Sequence, residues 1–262
     1  MRELLLAGPI SAPFVFLALS LVGVGAVEVA ARRSGASADG ALLRRWILGI
    51  GLWALAVVLS VLIVPEPTGG PHLLARWGAV PVIVQFVVLL AATDLLQALI
   101  HRGLHRVPVL WRLHAIHHAD RTYGVPTALR FHPLETLLRS FAQAGLLAVL
   151  GPDGAALMAV IVVDTCWNVF EHAGFDLPPR IERALATVFV TPGVHRVHHA
   201  AAGALHETNF ATVFTLWDRA MGTYHPSVGS VVPVGLARWN SGDDLVDNLL
   251  APWREPRDDS GN

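Results

Sequence analysis

Three stretches of the chain stay apolar for the roughly 20 residues that a helix needs to cross a bilayer. They are residues 12–31, 46–64 and 80–100. The second stops at Pro65 and Pro67, and the third turns polar at Thr93, Asp94 and Gln97. A fourth apolar region, residues 141–170, is broken by Gly151-Pro152-Asp153-Gly154. Its halves are short for a full crossing, so it reads as a helical hairpin that dips in and returns, or as a buried pair. The pattern predicts an all-α integral membrane protein with three long transmembrane helices and a short hairpin. Residues 12–31 read as a retained anchor. The small residues from Ala26 to Ala30 favour a cleaved signal peptide, whereas the length of the stretch and Pro9 and Pro13 oppose it.

Charge orients these spans. Arg32, Arg33, Arg44 and Arg45 follow the first span, whereas residues 65–79 carry only Arg76. The positive-inside rule then places the chain from His101 onward on the cytoplasmic side, where a hairpin would also return it. Composition agrees with a membrane protein: 53% of residues are hydrophobic and 15% charged, against about 25% charged in soluble domains. A formal charge of −1 with no basic patch excludes a nucleic-acid partner. The single cysteine, Cys166, excludes an intrachain disulfide, a thiolate zinc site and an iron–sulfur cluster. Arginine-only cations with abundant Ala and Gly point to a GC-rich bacterial genome, hence an inner membrane. Residues 1–79 form an anchor, 80–240 a catalytic domain and 241–262 a short amphipathic segment with a polar tail.

Histidine carries the chemistry. Of 13 histidines, 11 lie between His101 and His206. His101 and His105 share a helix face at i, i+4, and Pro108 ends that helix. His114, His117 and His118 follow at i, i+3, i+4, which predicts one shared side, and His195, His198 and His199 repeat the spacing. Thr191 and Pro192 read as the N-cap and first residue of the helix carrying this second copy. These eight imidazoles exceed the needs of one tetrahedral zinc and suit two metals. Neither HExxH nor ExxH occurs, which disfavours a zincin protease and a ferritin-like carboxylate site. Imidazole serves zinc, iron, copper and nickel, so spacing leaves the metal open. Two irons beside a bilayer suit O2 activation and oxidation of a lipid C–H bond. A zinc-dependent membrane lipid hydrolase and a non-enzymatic metal-binding or transport protein are the alternatives. Transport is disfavoured, because the histidines follow the end of a span and do not sit at its midplane.

The motifs HRGLH (101–105), PVLWRLHAIHHAD (108–120), ALRFHPLE (128–135), NVFEH (168–172), HRVHH (195–199) and NFATVFTLWDRAMGTYHP (209–226) resemble those of the fatty acid hydroxylase/sterol desaturase superfamily. The resemblance covers about half the chain. It implies membrane helices under a cytoplasmic helical cap that holds two iron ions, for which zinc can substitute in purified protein. It also implies O2 as co-substrate and hydroxylation or desaturation of a lipid or sterol-like substrate. The implied ligands are His101, His105, His114, His117, His118, His172, His195, His198 and His199. His132 is implied as a ligand or as a partner of one. Asn168 stands where some members have a histidine, and could ligate through its carbonyl or a bridging water. Electrons would come from a separate ferredoxin, cytochrome b5-like protein or reductase.

Around these motifs, Asp94 reads as an acceptor from a ligand histidine N–H, against a packing pair with Arg or Gln97. Glu135 and Glu171 have the same two readings, with Arg130 or Arg139 as ion-pair partners. Arg102, Arg106, Arg112, Arg121 and Arg196 suit headgroups, an acidic electron carrier or simple snorkelling. His206 is a lesser site candidate, His72 and His225 read as structural, and Asp218-Arg219 as an ion pair. Residues 243–253 read as an interfacial amphipathic helix.

Overall fold

The computed structural model describes residues 39–64, 79–201, 205–228, 232–236 and 242–254. The predicted first span, Arg32, Arg33, most of the 65–79 loop with His72, and the polar tail lie outside the described residues. Among the described residues the architecture is all-helical, with two isolated β-bridges and no strand. The long helices are α1 (Asp39–Ile63), α2 (Val82–Arg106), α4 (Pro133–Leu150) and α5 (Gly154–Glu171). Short helices α3 (Pro108–His118), α6 (Pro179–Leu185), α7 (Pro192–His198), α8 (Thr215–Met221) and α9 (Leu245–Leu250) complete it.

Helices α1, α2 and α5 are long and apolar enough to cross a membrane. The third of these differs from expectation. Each half of the 141–170 region extends to a helix of 18 residues, so α5 reaches spanning length. Gly151 makes the intervening turn possible by adopting φ 55°, and the Asp153 carboxylate caps α5 by accepting from Ala155 N–H at 2.8 Å.

Burial along these helices is inverted relative to a water-soluble protein. On α2, Gln85, Leu89, Thr93, Gln97, His101 and His105 recur every four residues and are buried, while Ile83, Val84, Val87 and Val88 are exposed. Leu43, Ile47, Ile50, Val58 and Leu62 of α1 are likewise exposed. Such faces are stable against hydrocarbon, where polar groups must find partners inside the protein. They do so here. Gln85 donates to Val80 O and accepts from Asp153 N–H, both at 2.8 Å. Gln97 accepts from Arg139 at 2.8 Å, and Ser60 meets Ser140 at 3.1 Å.

One buried ion pair fixes which ends of the spans lie together. Arg45, near the start of α1, donates to Asp120 Oδ2 at 2.8 Å and also to the Thr122 carbonyl. Asp120 follows directly on α3 and also accepts from Thr127 Oγ1 at 2.8 Å. The Arg44–Arg45 end of α1 is therefore on the same side as the histidine end of α2. Arg45 is 7% exposed, so the charge counted as a loop cation is in fact buried inside a helix. Replacing Asp120 by Ala leaves the guanidinium buried without its carboxylate and should cost about 3–5 kcal/mol. Thermal unfolding in detergent checks this. A double Arg45→Met/Asp120→Leu change should recover most of the loss.

Candidate metal centre

The α2 stripe ends in His101 and His105, and Pro108 lets the chain reverse into α3, which presents His114, His117 and His118. His172 sits at the C-terminus of α5. Thr191 caps α7 by accepting from Val194 N–H at 3.3 Å, with Pro192 opening the helix as expected, and α7 supplies His195, His198 and, at its end, His199. All nine are buried.

They form two groups of donor atoms, each lying within 4.8 Å of one another. One comprises His101, His105, His114, His118 and His198, the other His117, His172, His195 and His199. The i, i+3, i+4 motifs do not place three rings in one group. In each copy the i and i+4 rings share a group and the i+3 ring crosses to the other: His117 leaves His114 and His118, and His198 leaves His195 and His199.

The hydrogen bonds behind the rings fix their tautomers. A carbonyl only accepts, so the nitrogen facing it carries the proton. His101 Nδ1 donates to Phe210 O at 2.8 Å, His198 Nδ1 to Thr208 O at 2.7 Å, and His172 Nδ1 to Asn168 O at 2.7 Å. His114 Nδ1 faces the Glu135 carboxylate at 3.0 and 3.1 Å. With Nδ1 protonated, a neutral ring has a bare Nε2. The Nε2 atoms of the first group crowd together: His101 to His114 at 2.9 Å, His114 to His118 at 3.1 Å, His105 to His118 at 3.2 Å. In the second group His172 approaches His117 at 3.2 Å and His195 at 3.1 Å. Nε2 of His198 and of His199 is buried without a hydrogen-bond partner.

Protonation does not relieve this crowding. Burial, followed by repulsion from neighbouring imidazoles, pushes His117, His118, His195 and His199 well below the ordinary histidine range. His198 moves the same way through burial and His114, although its bond to Thr208 opposes the shift. Burial lowers His172 to about 4. Neutral, convergent, buried imidazoles fit divalent transition metals such as iron or zinc.

The remaining expected site residues are placed elsewhere. His132 caps α4: its Nδ1 accepts from Leu134 N–H at 3.1 Å and its Nε2 donates to Leu249 O at 3.3 Å, so both nitrogens are used outside the metal groups. The Asn168 side chain donates to Ala128 O at 3.1 Å, and only its backbone carbonyl meets a site histidine. Asp94 accepts no histidine proton. Its carboxylate takes the N–H groups of Thr212, Val213 and Phe214 at 3.1, 2.9 and 2.8 Å, because that loop packs on α2 with no other acceptor for them.

Asp218 makes no ion pair with Arg219. It accepts from Phe210 and Ala211 N–H at 2.8 and 2.9 Å and from the Thr223 hydroxyl at 2.7 Å. Together the two aspartates hold five consecutive N–H groups of the loop whose carbonyls orient His101 and His198. Glu135 satisfies both of its readings, touching His114 and, at 2.9 Å, Arg139. Glu171 approaches His172 and His195 at 3.8 and 3.7 Å. Arg196 is buried against Asp176 and the Tyr123 ring. The sequence offered no sign of the loop's role, since its function resides in backbone carbonyls.

The fatty acid hydroxylase family profile matches residues 86–223, slightly more than half the chain. The protein belongs to that family. It is 29% identical over 157 residues to ornithine lipid hydroxylase OlsE of Rhizobium tropici, covering 60% of this chain and 46% of that protein. It is 30% identical over 154 residues to lathosterol oxidase of Mus musculus, covering 57% of this chain and 48% of the relative. Alkylglycerol monooxygenase of Danio rerio is 28% identical over 134 residues, covering 50% of this chain and 28% of that protein. The chain thus spans less than half the length of these relatives. No solved structure matches it.

Asp218→Ala should loosen the loop behind His101 and His198 without deleting a donor, weakening metal retention by about 10–100-fold. Competition with a chelator measures this.

Proposed function

We propose that the protein is an O2-dependent oxidoreductase that hydroxylates or desaturates a C–H bond of a lipid or sterol-like substrate. One iron would be held by His101, His105, His114, His118 and His198, and a second by His117, His172, His195 and His199. The observation that carries this reading is the pair of abutting, buried imidazole groups at the end of a membrane-spanning helix. Hydroxylation, oxidation and monooxygenation named for the relatives support the same class of chemistry.

The bound metal supplies the O2 chemistry that an unactivated C–H bond requires. The chain's own residues do the rest. Carbonyls of Phe210, Thr208 and Asn168 and the Glu135 carboxylate keep the Nδ1 protons outward, so every such ring presents its free nitrogen inward. Burial of all nine rings excludes water. The histidines begin where the apolar surface of α2 ends, so a substrate can reach them with its hydrocarbon still in lipid. We read the side carrying Arg44 and the metal groups as cytoplasmic from the arginines before the span at residues 46–64 against the lone Arg76 after it, and the membrane as a bacterial inner one from the arginine-only, Ala- and Gly-rich composition. There, exposed Arg106, Arg112 and Arg121 suit phosphate headgroups or an acidic electron donor that is a separate protein.

Detergent-purified protein expressed with iron should contain about two irons per chain, consistent with imidazole as an iron ligand. His117→Ala and His198→Ala should each lose metal and product while still inserting in the membrane. Lipid profiling of expressing cells should reveal hydroxylated or desaturated species that vanish in both variants. One tightly held zinc with no O2 consumption under reductant would overturn the reading in favour of a hydrolase.

A further inference from the structure

A third donor group lies against the first. One nitrogen each from His105 and His206 and a carboxylate oxygen of Glu207 fall within 4.8 Å of one another. His105 connects the two. Its Nε2 faces His118 at 3.2 Å inside the five-histidine group, while its Nδ1 faces Glu207 Oε1 at 3.6 Å. That Nδ1 is buried and has no hydrogen-bond partner, and the His105 side chain is 0% exposed. Glu207 Oε1 in turn lies 3.7 Å from His206 Nε2. These separations approach the spacing of atoms sharing one ion at about 2.0–2.2 Å from each.

The third group differs from the other two in access and in chemistry. The inner groups are wholly buried, whereas the side chains of His206 and Glu207 are 22% and 42% exposed. Among the described residues it is the one donor group with members that reach water. It mixes two imidazoles with a carboxylate and leaves room for water ligands, a set that binds divalent first-row cations but releases them more readily than a closed imidazole cage. Trp111 backs both histidines, stacking on His206 at 5.7 Å and lying 4.9 Å from the His105 ring, which holds the two rings on one wall.

We propose that His206, Glu207 and the outward nitrogen of His105 form a rim site that captures a divalent transition metal from water before it passes to the five-histidine group. The ring of His105 is shared by both sites: with its one proton it serves the rim through Nδ1 or the inner group through Nε2, and it bridges both by releasing that proton to water as an imidazolate, so an ion bound at the rim is one imidazole away from the inner donors. This inference rests on the inner groups being metal sites, and the test separates the two claims.

The full chain, purified in detergent and stripped with chelator, is titrated with Co2+ under argon and its bound cobalt counted before and after a brief chelator wash. The wild-type chain should take up about three ions and retain about two, following the donor groups above. His206→Ala and Glu207→Gln should lack the washable ion, still retain two, and load the inner sites roughly tenfold more slowly. A wild-type chain with no washable ion, or a His206→Ala chain that loads at the wild-type rate, overturns the rim site. Fewer than two retained ions counts against the inner reading. The rim site is judged by the washable ion and its loss in the variants.

Discussion

Imidazole nitrogens converge to 2.9–3.2 Å of one another in a dry interior. The outward nitrogens of His101, His198, His172 and His114 are already committed to carbonyls and a carboxylate. A cation is the natural partner for nitrogens that converge in this way. Much of the rest of the fold works to bring these rings together. Helix α2 carries two rings and α3 three, His172 follows α5, and α7 carries two with His199 as its C-cap, so four separate elements must meet at one place.

The restraint comes from polar groups placed where hydrocarbon makes them strong. Asp94 lies on a membrane-spanning helix yet reaches into the loop after Asn209, a residue with φ 55° whose amide is itself pinned to Val194 O and His225 O at 2.9 Å. Asp218 takes the neighbouring N–H groups from the other side. The loop carbonyls then orient rings on α2 and α7. The intramembrane carboxylate therefore acts on the histidines through peptide dipoles, at one remove from the contact expected of it.

Which parts of this were legible follows from how each signal is encoded. Hydropathy and proline positions are local, so α1, α2 and the break after Arg106 could be read directly. Eight of the nine buried histidines were legible because they recur at helical spacing within three short segments, and His172 through the resemblance of its NVFEH motif. His132 and Asn168 misled for a related reason: sequence reports that a side chain could ligate, not which way it turns, and both turn toward backbone groups of other segments. The Arg45–Asp120 pair joins residues 75 apart, and the carbonyls of Thr208 and Phe210 have no residue-type signature at all. Contacts of those two kinds emerge only from the assembled fold.

The division of each HxxHH motif between two donor groups turns the α-helix into a ruler. Each residue advances about 1.5 Å and turns about 100°, so the offset between the i, i+4 pair and the i+3 ring is a property of helix geometry itself. Rings borne by α3 and by α7 with its C-cap meet across the two groups, His118 lying 4.6 Å from His198 and 4.5 Å from His199, and His117 4.5 Å from His199. A single inserted residue in either helix would put both groups out of register at once.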